Sequence, residues 1–317
     1  MGISRREALK TLGLASAVAT IGGVSVSNAQ SNLVIPNGAG FNRIKVGEFT
    51  VVVLSDGQGN PAALLPNWGA NPELQDEFKA TLKANYIDPA TVRNNFHPVL
   101  VDTGKNKVLI DSGNGVNANA PTGRLLNHLA LAGYKPEDID TVYLTHFHGD
   151  HINGLTNAQT QAIFPKAQII AGETEHTFWT KPATGAVGAG IVKNIVSQGE
   201  KLKLVRDGVE IVPGLSTVGS PGHTLGHQSV LVSSGTAQMM IFGDAAGHFL
   251  LSLNYPSAYL GFDTDKPMAV KTRANLFRRV ASERMLVTGY HFPFPGVGYI
   301  RRRSFGGYEF VPAAFQF

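Results

Sequence analysis

The stretch DTVYLTHFHGDH occupies residues 140–151, and its reading decides the fold. Its first half, rich in β-branched and aromatic residues, has the character of a short buried strand. Its second half releases three histidines and an aspartate within six positions. On a continuing strand His146, His148 and Asp150 would share one face, but Gly149 and the adjacent Asp150–His151 pair predict that the strand has ended in a loop. Such a loop lets all four side chains converge.

A lone histidine is ordinarily packed or solvated, and His97, His128 and His176 are read that way. Four ionisable, ligand-type residues at one strand end are different, because burying them without a partner is costly. Imidazole and carboxylate without sulfur suit zinc, iron, manganese or cobalt. The chain contains no cysteine, so any metal site uses His and carboxylate alone, and no disulfide contributes to stability.

Working outward, Glu48–Gly57, His97–Gly104 and Lys107–Gly113 read as strands, with GKNK (104–107) as the tight turn between the last two. A helix is predicted over Glu73–Asn85. Another is predicted in GRLLNHLALAGY (123–134), with Leu125, Leu126 and Leu129 on one face and Gly133 at its stop. With the strand in DTVYLTH this makes a strand–helix–strand unit. Downstream, AQII (167–170) and GVEIVPGLSTVGS (208–220) suggest strands around a helix at 173–179, and QSVLVSSGTAQMMIFGDA (228–245) is a hairpin. A helix with Asp265 near its N-cap and Pro267 in its first turn precedes a last clear strand in MLVTGYH. The pattern is a layered α/β architecture with two sheets inside.

One short cluster cannot complete two coordination spheres. Three further strand ends offer ligands: His223 in GSPGHTLGHQ, Asp244 in MMIFGDAAG and His291 in LVTGYHFPFPG. Taken alone, Asp244 would read as a turn-forming aspartate. His227 and His248 are assigned supporting or packing roles.

The first 29 residues carry Arg5, Arg6 and Lys10, then a run of small apolar residues, then SNA ending at Ala29. This predicts a removed export signal of the twin-arginine type, although Ala8 stands where a large apolar residue is usual. The apolar run is short for a span of roughly 20 residues, so no stable membrane span is expected after removal. Residues 30–317 are expected as a single domain, periplasmic or secreted. The signal holds a net +2 of the chain's +4, which argues against a nucleic-acid partner.

The series HFHGDH (146–151), GHTLGH (222–227), GD (243–244) and GYHFPFPG (289–296), with the earlier LIDSG strand end, resembles the metallo-β-lactamase superfamily of binuclear hydrolases. The resemblance covers nearly all of the chain beyond the signal. It is nearest to the methyl parathion hydrolase-like branch of exported esterases and lactonases, which GRLLNHLALAGYKPEDIDTVYLTHFHGDHINGL, TFWT (177–180) and HFPFPGVGYIR support.

This resemblance implies a four-layer αββα sandwich holding two divalent metal ions, zinc first, with manganese, cobalt or iron as alternatives. His146, His148 and His223 would hold one ion, and Asp150, His151 and His291 the other. Asp244 would bridge both. It further implies cleavage of esters, lactones or organophosphate triesters of a small-molecule substrate by a hydroxide shared between the ions, since bound metal lowers the pKa of water to about 7. Asp150 would orient the nucleophile or pass a proton.

Trp179, Phe147 and Phe292 are the expected pocket lining. The loops 115–123 and 181–190 lack the aromatic residues that surround an aryl substrate in that branch, which weighs against triesters. The bridging aspartate and the absence of cysteine weigh against a β-lactamase. A mononuclear iron oxygenase on the same scaffold and a metal-storing binding protein are the rival classes, and a homodimer is the assembly to test.

Overall fold

The computed structural model describes residues 40–116, 121–181 and 186–314. The expected export signal and parts of the two loops just named lie outside them. Fourteen strands and seven α-helices are formed among the described residues.

The first sheet runs in chain order: β1 (Phe41–Val46), β2 (Phe49–Leu54), β3 (Val99–Asp102), β4 (Lys107–Ile110), β5 (Thr141–Leu144), β6 (Gln168–Gly172) and β7 (Leu202–Val205). The second is formed by β8 (Glu210–Val212), β9 (Leu215–Gly219), β10 (Gln228–Ser234), β11 (Ala237–Ile241), β12 (Leu286–Thr288), β13 (Val297–Arg302) and β14 (Tyr308–Pro312), also in chain order. The helices are α1 (Gln75–Ala84), α2 (Leu125–Leu131), α3 (Gly149–Ile152), α4 (Glu173–Thr180), α5 (Ala189–Asn194), α6 (Leu251–Asn254) and α7 (Lys266–Ser282).

Side-chain alternation along the strands builds the layers, because successive residues leave a strand on opposite faces. Val52, Leu54, Leu100, Leu109, Val142 and Leu144 point outward to a core shared with Leu125 and Leu129 of α2. Their neighbours Val51, Val53, Val99, Val101, Val108, Ile110 and Tyr143 point inward and meet Val230, Val232, Met239 and Ile241 of the second sheet. On that sheet's far side Met240, Val287 and Ile300 pack against Leu276, Phe277 and Val280 of α7. Helix, sheet, sheet, helix is the resulting order, the expected αββα sandwich.

The predicted hairpin at 104–107 forms with register Asp102↔Lys107. Helix α7 begins where expected, with the Asp265 carboxylate accepting from the Met268 amide at 3.0 Å. Strands β1, β7, β13 and β14 were not anticipated. Of these, β1 and β14 form the outer edges of their sheets and β7 ends the first. Edge strands mix charged with apolar residues, as FNRIKV does, and so carry a weaker pattern; β13, inside its sheet, shows the same mixture in VGYIRR.

Strands β4, β5 and β6 are parallel, as are β11 and β12. Their carboxyl ends therefore gather at one edge of the sandwich, where loops are free to hold chemistry.

Candidate metal centre

Strand β5 ends at Leu144 because the Asp111 carboxylate, at the end of β4, captures both the amide and the hydroxyl of Thr145 at 2.9 Å each. Asp111 itself is left-handed (φ 61°), a conformation uncommon outside glycine. His148 remains extended and leads into the single turn of α3, so Asp150 and His151 stand on a helical turn and not in the loop expected from sequence. The turn is what swings both toward His146 and His148.

The structure brings all seven expected ligands together in two groups. His146, His148, His223 and Asp244 form one, and Asp150, His151 and His291 the other; within each group the donor atoms lie within 4.8 Å of one another. In the first, His148 Nδ1 is 2.9 Å from His146 Nε2 and 3.0 Å from His223 Nε2. In the second, Asp150 Oδ2 is 3.6 Å from His151 Nε2 and 3.5 Å from His291 Nε2. Asp244 joins them: Oδ2 lies 3.2 Å from both His223 Nε2 and His291 Nε2, and Oδ1 lies 3.5 Å from His151 Nε2.

Two observations test whether metal fits here. His151 Nε2 and Asp244 Oδ1 are buried without any hydrogen-bond partner, which is costly unless a cation satisfies both. Three imidazole nitrogens also converge near 3 Å, a crowding of ring nitrogens that a shared cation relieves. A divalent ion in each group removes both problems. The donor set therefore fits two divalent metals.

The opposite side of most of these rings is tied down. His151 Nδ1 donates to Asp111 at 2.8 Å, His223 Nδ1 to Asp263 at 3.1 Å, His291 Nδ1 to the Asn95 carbonyl at 2.7 Å and His146 Nδ1 to the Thr145 hydroxyl at 3.1 Å. Such bonds fix the tautomer and aim the other nitrogen at the metal. Asp263 is itself held by Arg273, a guanidinium 1% exposed that also donates to the carbonyls of Ala245 and Ala258. His227 accepts the Asp244 amide at 3.0 Å, and a β-carbon at Gly243 (φ 56°) would strike that ring. His248 accepts from the amides of Leu250 and Leu251 at the start of α6.

Glu175, fully buried on α4, ties the two halves together. Its Oε1 accepts from the Phe147 amide at 2.9 Å and Trp179 Nε1 at 2.6 Å, and its Oε2 from the Thr224 hydroxyl at 2.6 Å and the Gly226 amide at 3.1 Å. The loops carrying His146–His148 and His223 are thus stapled by one carboxylate.

The electrostatics follow from burial and these partners. Burial pushes His146 well below the usual imidazole range, and burial with the neighbouring His223 takes His148 down to about 4. For His223 burial is outweighed by Asp244 and Asp263, which raise it to about 9. For His151 burial is likewise outweighed, by Asp111, Asp150 and Asp244. Asp244 stays ionised despite burial because His291 and His151 face it.

Of the expected pocket lining, only Trp179 stands beside the centre, its ring 5.8 Å from that of His148. Phe147 and Phe292 are 1% and 0% exposed and belong to the cores on either side of the sandwich, so that expectation is corrected. Phe147 contributes its amide, not its ring. The residues flanking the centre are instead Trp68, 5.0 Å from His291 and 5.5 Å from Phe262, and Phe96, 5.5 Å from His291. A cavity of about 620 Å³ lined by Thr177, Phe178, Trp179 and Leu225 adjoins the His148 side. One of about 540 Å³, lined by Phe96, Asn114, Asn153 and Lys193, adjoins the His291 side.

Sequence reasoning passed over Asp263, Arg273, Glu175 and Trp68. Arg273 had a readable signal, since it shares the buried face of α7 with Ala269, Leu276 and Phe277. The carboxylate supports had none, being fixed only by tertiary contact.

Residues 97–280 match the family model of the metallo-beta-lactamase superfamily. The chain belongs to the metallo-beta-lactamase superfamily. As a member it is a metal-dependent hydrolase. An N-acyl homoserine lactonase of a Bacillus species is 24% identical over 201 residues, covering 60% of this chain and 74% of the relative. Among solved structures, AidC, a dizinc quorum-quenching lactonase in complex with its product, superposes with a TM-score of 0.79 at 27% identity, covering 87% of this chain and 98% of that one. The hydrolase AbOPH gives 0.80 at 27%, covering 89% and 100%.

Proposed function

We propose that this superfamily member hydrolyses lactones and related carboxylic esters with an apolar substituent, using two zinc ions held by His146, His148 and His223 and by Asp150, His151 and His291, with Asp244 between them. The observation that carries this reading is the Asp244 carboxylate, whose Oδ2 stands between His223 of one group and His291 of the other while Oδ1 faces His151 with no protein donor satisfying it. The lactonase relatives and the dizinc neighbour support the bond type and the metal.

When bound, two such ions supply a nucleophilic water near neutral pH and Lewis acidity toward the substrate oxygen. The protein does the rest. Asp150, its side chain 24% exposed while its partners are buried, is the carboxylate placed to take a proton from the attacking water and pass it to the departing alkoxide. Tyr290 donates to the Asp150 carbonyl at 2.6 Å and stacks on His151, which holds that turn in place. Trp179 and Leu225 offer an apolar wall for an acyl or alkyl group, and Trp68 with Phe262 a second. No cationic clamp stands among the ligands, which suits a neutral substrate.

The test is turnover of acyl lactones, aryl esters and a phosphotriester by purified, metal-loaded protein, with metal content measured alongside. Two zinc ions per chain and lactone or ester cleavage are expected. One iron per chain with no hydrolysis would replace the reading with the oxygenase. Export as a periplasmic or secreted protein is proposed with it, and N-terminal sequencing of the mature chain checks it.

A further inference from the structure

Far from the metal centre, the β13–β14 hairpin and the end of α7 carry a charged surface that the chemistry leaves unused. Arg278 and Arg284, together with Tyr299, Arg301, Arg302 and Tyr308, line a cavity of about 750 Å³. Arg303 follows in the turn, and next to it Phe305 is 96% exposed. Among the described residues only Glu309 and Glu283 neutralise arginines here, pairing with Arg301 at 2.6 Å and with Arg279 at 3.4 Å. The side chains of Arg284, Arg302 and Arg303 have no hydrogen-bond or ion-pair partner there. Clustered guanidinium groups without partners give this face a local positive potential, and Phe305 projects from it.

We infer that this surface docks on an anionic lipid bilayer, with lipid phosphates taken by Arg278, Arg284, Arg302 and Arg303 and the Phe305 ring entering the interface. The combination of clustered arginines and a projecting aromatic tip fits an interface that is charged outside and apolar within. A nucleic acid fits less well, because the chain's net charge is small and the apolar residue stands at a projecting tip, not in a groove. No described helix is long and apolar enough to cross a membrane.

The surface is separable from catalysis. Helix α7 has 17 residues, about 25 Å of helix, with its first turn against the His223 loop and the arginines at its last. Substitutions at the tip should leave hydrolysis of a soluble substrate and metal content unchanged.

The experiment is co-sedimentation of metal-loaded protein with phosphatidylglycerol-containing vesicles and with pure phosphatidylcholine vesicles. Binding to the anionic vesicles alone, weakening with salt, is expected. Each arginine contributes roughly five-fold, so the triple change Arg284→Ala, Arg302→Ala, Arg303→Ala should weaken binding by about a hundred-fold. Phe305→Trp should show a blue-shifted emission on adding anionic vesicles, over and above the parent's own tryptophans. Absence of parent binding at low salt, binding insensitive to the triple change, or association with heparin but not with vesicles would overturn the inference.

Discussion

The two halves of the ligand set are built in opposite ways. His146, His148, Asp150 and His151 lie within one strand end and one helical turn. His223, Asp244 and His291 come from three loops of the second sheet, dispersed over residues 223–291. The compact half is positioned largely by Asp111, which ends the strand and holds His151. The dispersed half needs a separate support for each member: Asp263 with Arg273 for His223, His227 for the Asp244 backbone, and Asn95 for His291. A ligand set that is local in sequence needs little scaffold, whereas one assembled from distant loops is only as good as its individual props.

The sharpest break in this comparison is at the joint. Asp244→Ala removes the one side chain that faces both groups, and turnover should fall to background with metal content reduced from two ions. Retention of both metals would show that the two ligand groups bind their ions independently. Next come the props of the dispersed half. Asp263→Asn should weaken metal binding at the His146–His148–His223 group by about 10–100-fold, read by competition with a chelator, while the Asp150–His151–His291 group keeps its ion more tightly. Arg273→Met should mainly destabilise the fold, by about 1–3 kcal/mol for each partner left unsatisfied, since the Ala245 and Ala258 carbonyls lose their donor and Asp263 keeps only His223 as a countercharge; denaturant titration of the metal-free protein measures this.

A smaller effect is expected at the staple between halves. In Glu175→Gln the amide offers one acceptor oxygen where four donors converge, leaving two of them facing an NH₂ group. Each unsatisfied buried donor costs about 1–3 kcal/mol. The metal-free protein should melt several degrees lower, and Trp179 emission should change as the hydrogen bonding around its indole is redrawn. Unchanged melting and emission would mean the two loops hold their positions without Glu175.

How much of this was legible in the sequence follows the same division. The compact half was readable because strand, glycine and ligands are contiguous, although the helical turn at 149–152 read as a loop, four residues being too few to show helical periodicity. His223, Asp244 and His291 were legible as strand-end residues, but their convergence rests on the parallel alignment of β11 with β12, which no local pattern encodes. Phe147 and Phe292 were misplaced for a related reason: adjacency to a ligand in sequence says nothing about which side of the backbone a ring takes. Phe147 alternates away from His146 and His148 into the outer core.

The last and gentlest test uses pH to separate ligands from props in the metal-free protein. Burial holds His97, His227 and His248 down at about 3, against an ordinary 6.5. Unfolding lets them take up protons, so their contribution to stability is lost as pH falls from about 6.5 toward 3. His223, despite its burial, is held up at about 9 by Asp244 and Asp263. Its contribution is complete below about 6.5 and lost as pH rises through 9. The metal-free chain should therefore melt highest near pH 6.5 and lower on either side. Metal loading displaces the His223 proton, so the alkaline decline should vanish on adding zinc while the acid decline steepens as protons compete for the ligands. An alkaline decline of equal size with and without zinc would place its origin outside the pairings of the raised ligand histidines, His223 and His151.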